Sequence, residues 1–214
     1  MTNKTKLPIG TLLLFGIFGL VMLVTYILVK PSTPPPELAG VLRPEFKLIQ
    51  PFELIDHNNV SFSEQRLRGK WTFAFFGYTS CPDICPATLY VLNSAQDLLQ
   101  DQAGDVHTDT QVLFISVDPE RDTTELLATY VPYFNREFIG ATADKAEIDS
   151  LTRQFGAGYI IEPETSAGQY TVAHTSAIFL VDPLGRLVAA FSQPHYAATI
   201  ASQYEKIQTY FSGS

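Results

Sequence analysis

Eight consecutive residues, Trp71-Thr-Phe-Ala-Phe-Phe-Gly-Tyr78, carry no charge, and five of them are aromatic. This is the pattern expected of a strand buried on both faces, since a half-exposed strand alternates polar with apolar positions. The run leads straight into Thr79-Ser-Cys-Pro-Asp-Ile-Cys-Pro86. Pro86 suits the first turn of a helix, where its missing N–H is not needed. Leu89, Leu92 and Leu99 then give helical apolar spacing through about residue 99, and Gln111 to Val117 reads as a second buried strand. Strand, helix and strand in this order predict a parallel crossover, hence an α/β domain with a mixed sheet flanked by helices. Groups that act on other molecules are then expected beyond the strand ends, where the loops 78–86 and 118–122 can meet.

Further along, Asp122-Thr-Thr-Glu125 has the form of a capping box, with Leu126, Leu127, Tyr130 and Phe134 on the helix that follows. A further helix is expected over 144–155. The stretches 176–181 and 186–191, joined by Asp182-Pro-Leu-Gly185, read as a strand, a turn and a strand, and a last amphipathic helix covers about 197–211.

The front of the chain differs from the rest. Ile9 to Val29 is a run of 21 residues without a charge, about 31 Å long as a helix, which matches a bilayer's hydrocarbon thickness. A signal peptide would have a shorter apolar stretch and small residues at a cleavage site, so an uncleaved transmembrane anchor is expected over 9–29. Lys4 and Lys6 precede it and Lys30 follows, which places residues 1–8 in the cytoplasm and the remainder on the outer side. Pro31-Ser-Thr-Pro-Pro-Pro-Glu37 favours extended geometry, so residues 30–45 are expected to form a stalk reaching up to about 45 Å, with the globular domain over 46–214. Three of the 14 basic residues are Lys4, Lys6 and Lys30, which leaves 11 basic against 22 acidic residues beyond them. Such a surface repels a phosphate backbone and argues against nucleic acid as a partner.

The two cysteines, Cys81 and Cys85, lie four apart at the strand-to-helix junction. A disulfide staple there closes so short a loop that it contributes only about 2 kcal/mol in the chain-entropy model. A structural zinc site lacks its other ligands at nearby spacing, because His57, His107, His174 and His195 are all remote. Two chemistries stay open. Amides at a helix N-terminus favour a thiolate, which is both the nucleophile of disulfide exchange and a ligand for a soft metal. Positions i and i+4 share a helix face, so both sulfurs can converge on one Cu(I). Met1 and Met22, the sole methionines, fall outside the globular part, which makes imidazole the expected third ligand. His174, at the entrance to the strand 176–181, is the best placed histidine, although spacing alone does not bring it to the sulfurs.

Three motifs in order resemble the Sco or SenC proteins, the copper-delivery family of cytochrome c oxidase assembly. They are Phe76-Gly-Tyr-Thr-Ser-Cys-Pro-Asp-Ile-Cys-Pro86, Ser116-Val-Asp-Pro-Glu-Arg-Asp-Thr123 and His174-Thr-Ser-Ala-Ile-Phe-Leu-Val-Asp-Pro-Leu-Gly185. The resemblance implies a thioredoxin-like fold and copper binding by Cys81, Cys85 and His174, with Cu(I) favoured and Cu(II) accommodated. It also implies an oxidase subunit as copper acceptor and another copper chaperone as a further partner. Asp118 matches an acidic family position near the metal, whereas Ala173 stands where the family often has an acidic or amide residue. A thiol-disulfide oxidoreductase acting on the acceptor's cysteines is the alternative. A peroxidase fits less well, since Thr79 is two residues from Cys81 and peroxiredoxins use three. The absence of an Arg-rich, Ser-rich transit segment leads to the expectation of a bacterial inner membrane, with the domain on the periplasmic or outer side.

Overall fold

The computed structural model describes residues 9–28, 34–103, 110–166 and 169–212. The chain divides into a first unit that ends at Pro34 and a second, Pro35–Gly213. Expectations for residues 1–8, for 29–33 and for His107 fall outside the described residues.

The first unit contains one helix, α1 (Ile9–Leu28), whose 20 residues include no charged side chain. Among the described residues no helix is long and apolar enough to cross a membrane. In α1 the continuous run of described side chains covers residues 14–23, all of them exposed, so the expected anchor rests on the sequence of the whole segment.

The second unit follows the order β1 (Leu42–Leu48), β2 (Glu53–Asp56), β3 (Ser61–Ser63), β4 (Trp71–Gly77), α2 (Ile84–Ala103), β5 (Thr110–Ser116), α3 (Thr124–Tyr130) and β6 (Ile139–Thr142). It continues with α4 (Lys145–Phe155), β7 (Tyr159–Ile161), β8 (Val172–His174), β9 (Ile178–Val181), β10 (Arg186–Phe191) and α5 (Ala197–Ser212). Eight strands make one sheet in the order β1-β10-β9-β4-β5-β6-β2-β3. β4, β5 and β6 run parallel, and the remaining neighbours are antiparallel. This is the mixed sheet that the strand and helix order predicts. β7 and β8 form a separate two-stranded sheet.

All seven residues of β4 are buried. Side chains alternate across a strand, so its two faces meet different helices. Phe73 packs on Tyr204 of α5 with ring centroids 5.3 Å apart, and Phe76 packs edge-on against Phe155 of α4 at 5.2 Å. α4 starts where the Asp144 side chain accepts from the Glu147 N–H, and it stops at Gly156, whose φ of 68° is the left-handed conformation of a helix end.

Three expectations change. The folded unit starts before Phe46: Leu38 is fully buried, and β1 pairs with β10 at the sheet edge. A Pro-containing, polar segment can do this because an edge strand needs hydrogen bonds on one side only. The helix after the second motif is capped by Thr123, which accepts from the Leu126 N–H, leaving Asp122 buried for another task. His174 ends the separate hairpin, and residues 175–177 intervene before β9 begins.

Replacing Leu38 by Ala deletes a fully buried side chain and is expected to destabilise the domain by about 2–5 kcal/mol. The midpoint of urea denaturation checks this, and an unchanged midpoint would return residues 35–45 to the status of a tether.

Candidate metal centre

β4 ends at Gly77, and α2 begins at Ile84, so the intervening loop is short and both its ends are pinned. A Cβ on Gly77 would lie 2.8 Å from Cys85 Sγ and 2.8 Å from a ring carbon of Phe114. Only glycine lets the sulfur sit this close to the sheet. The loop is tied to β5 by Asp122. Its carboxylate accepts from the Thr79 N–H at 2.9 Å, from the Thr79 hydroxyl and from the Ser116 hydroxyl at 2.6 Å. Burial pushes the Asp122 carboxyl upward from its ordinary pKa, against the lowering effect of these donors. The expected meeting of loops 78–86 and 118–122 is made by this carboxylate.

Cys85 is fully buried and Cys81 half-buried; neither is in a disulfide. The Cys85 backbone N–H points at Cys81 Sγ, 3.4 Å away, as a helix N-terminus does to an anion. The neighbouring Cys85 thiol and the backbone N–H groups of Cys85 and Asp83 bring the Cys81 pKa down to about 3 despite its desolvation. Cys85 moves the opposite way, its pKa raised by the neighbouring Cys81 and by burial. The pair is thus driven apart, Cys81 toward the thiolate and Cys85 toward the thiol.

His174 Nε2 lies 3.4 Å from Cys85 Sγ. Its Nδ1 lies 3.1 Å from the Thr175 carbonyl. A carbonyl only accepts, so Nδ1 carries the proton and Nε2 presents its lone pair to the sulfurs. The peptide next to the histidine does the orienting, and Ala173 is not needed for it. The ring is held edge-on by Phe75 and Tyr78, with centroids 5.8 and 5.9 Å away.

Cys81 Sγ, Cys85 Sγ and a ring nitrogen of His174 all lie within 4.8 Å of one another. Metal–sulfur bonds of about 2.3 Å place trigonal ligands about 4 Å apart, so this donor set closes on one ion with sub-ångström movement. Two thiolates and an imidazole suit a soft ion of low coordination number. The three residues singled out in the sequence are therefore brought together. His57 and His195 are not: His57 hydrogen-bonds Gly140, and His195 Nε2 meets the Ser176 carbonyl at 2.8 Å. Asp118 is fully buried, but its carboxylate is occupied by Arg121 and by the Tyr170 hydroxyl at 2.7 Å, which makes it a brace and not a ligand. Gly77, Thr79 and Tyr170 were not foreseen as parts of the site, because close approach and long-range hydrogen bonds have no sequence period.

Iodoacetamide alkylation followed by peptide mass spectrometry is expected to show Cys81 reacting as a thiolate down to about pH 4, with Cys85 unreactive through pH 9. A Cys81 midpoint near the ordinary thiol value of about 8.5 would contradict this inequality of the two thiols.

The SCO1/SenC family model matches residues 41–210. The SCO2-like protein of Rickettsia prowazekii is 35% identical over 194 residues, covering 89% of this chain and 90% of its own length. The crystal structure of Arabidopsis thaliana ScoI with copper bound aligns at a TM-score of 0.70 and 34% identity, over 76% of this chain and 99% of that one. Bradyrhizobium japonicum ScoI, also solved with copper bound, aligns at a TM-score of 0.66 and 32% identity, over 75% and 99%. The fold is the thioredoxin-like one that the resemblance implies. With the cysteine loop at the end of β4 and the β7-β8 hairpin bringing Cys81, Cys85 and His174 to one point, and with a family match over residues 41–210, this chain belongs to the SCO1/SenC family.

Proposed function

We propose that this protein is a membrane-anchored copper metallochaperone that delivers copper to the binuclear copper centre of a terminal cytochrome c oxidase. The observation that carries the reading is the convergence of two sulfurs and one imidazole nitrogen within 4.8 Å, in a chain 34% identical to a copper-bound relative. The apolar α1 supports anchoring, with its domain on the periplasmic or outer side of a bacterial inner membrane and the copper-accepting oxidase subunit as partner.

Unequal exposure suits transfer. Cys85 is buried, whereas Cys81 and His174 are half-buried, so an acceptor's thiolate can approach before every original ligand has left. The neutral imidazole is the releasable arm, and the two thiolates retain Cu(I) until exchange is under way. Cu(II) is accommodated with an added oxygen or nitrogen ligand. Only the dithiol supplies both thiolates, so oxidation of the pair would block loading.

The inequality of the thiols also favours a second reading, a thiol-disulfide oxidoreductase. Cys81 thiolate would attack an acceptor disulfide, and Cys85 would resolve the mixed disulfide; the acceptor gains two electrons and two protons, and this pair becomes a disulfide.

Anaerobic Cu(I) titration of the full chain in detergent is expected to give one tightly bound equivalent. His174→Ala should weaken binding by at least the roughly 10–100-fold typical of outer-shell changes at metal sites, and Cys81→Ser by more. Tight binding indifferent to both substitutions would sink the site. Transfer to an acceptor with Cys81 and Cys85 still reduced separates the chaperone from the reductase, whose turnover must leave them oxidised.

A further inference from the structure

The hairpin that carries His174 is weakly held by the rest of the domain. β7 and β8 belong to no larger sheet, Ile160 and Ile161 are 67% and 39% exposed, and of the six strand residues only Val172 is buried. At its base, Thr175 and Gly158 bond each other, which closes the hairpin without fastening it. β7 is tied to α4 by the Tyr159 hydroxyl, which donates to Asp149 at 2.6 Å.

The other side is fastened through Tyr170. Register continues beyond β8, since the Glu162 N–H donates to the Thr171 carbonyl at 2.9 Å. With a side-chain period of two, Tyr170, Val172 and His174 share one face. Along that face lie a clamp, a core residue and the third ligand. Tyr170 donates its hydroxyl to Asp118 at 2.7 Å, its carbonyl accepts from Arg121 Nη1 at 2.9 Å, and the Arg121 guanidinium lies 3.6 Å from its ring centroid. Arg121 in turn donates to the second oxygen of Asp118, which closes a ring of three side chains. The same loop holds Thr79, two residues before Cys81, through Asp122.

We infer that Tyr170, gripped by Arg121 and Asp118, is the positioning residue that keeps His174 over the two sulfurs, and that the loop 118–122 is the common mount of the cysteine segment and the histidine arm. Opening of this clamp frees the imidazole while the cysteines, held separately by Asp122, keep their place. The inference rests on the reading of Cys81, Cys85 and His174 as the copper ligands.

Tyr170→Phe removes the hydroxyl and keeps the ring stacked on Arg121. In the full chain loaded anaerobically with Cu(I), release to the chelator bicinchoninate is expected to speed up about tenfold, the scale of one hydrogen bond to a charged group. In a His174→Ala background the same substitution should change release by less than about twofold, because the clamp acts through the imidazole. In the metal-free protein, amide hydrogen exchange at Val172 and His174 should quicken while Phe75 and Ile115 stay unchanged. Equal effects in both backgrounds, or unaltered exchange in the hairpin, would overturn the inference. If His174→Ala alone leaves release unaffected, the ligand assignment fails, and the metal-free exchange still decides whether Tyr170 holds the hairpin.

Discussion

The burial of β4 between two strands and two layers of helix is the constraint on which the site depends. It pairs in parallel with β5 over seven residues and antiparallel with β9, so the strand has no freedom to slide or twist. Its end point, Gly77, is therefore fixed in space, and the cysteine loop begins from a rigid origin. Asp122 extends that rigidity two residues further by holding Thr79 to Ser116. A loop that would otherwise be mobile becomes a continuation of the sheet, and the sulfur of Cys85 packs into the notch left by a glycine.

Much of this was legible in the sequence wherever burial leaves a period or a cap. The aromatic run of β4, the strand at 111–117, the hairpin at 178–191 and the last helix all carry patterns that survive in the structure. β1 does not, because Leu42-Arg-Pro-Glu-Phe-Lys-Leu48 is half-exposed at an edge and contains a proline. β7 and β8 are three residues each, too short to register as alternation. His174 could be nominated as a ligand from its residue type and from family resemblance, but its approach to Cys85 depends on a hairpin with no local signature. Asp118 was visible as an acid and misleading as one: its partner Tyr170 lies 52 residues away.

The centre combines two kinds of support. The cysteines are held by elements of the main sheet and by a helix start, with one sulfur buried and the other half-exposed. The histidine comes from a small sheet of its own, its ring packed edge-on against Phe75 and Tyr78. A donor set built this way is stiff in two of its three members and yielding in the third, so that one ligand can move while the other two keep their place.

The opposite leanings of the two thiols, Cys81 toward thiolate and Cys85 toward thiol, have an electrostatic consequence on the copper reading. Cu(I) bound by both thiolates would displace the Cys85 proton and bring the same unit charge. Loading is then an isoelectric exchange, and the rim of an already acidic domain offers a docking protein the same field whether full or empty. Discrimination between the two states falls to shape, to whether an ion stands between the sulfurs and the imidazole ring.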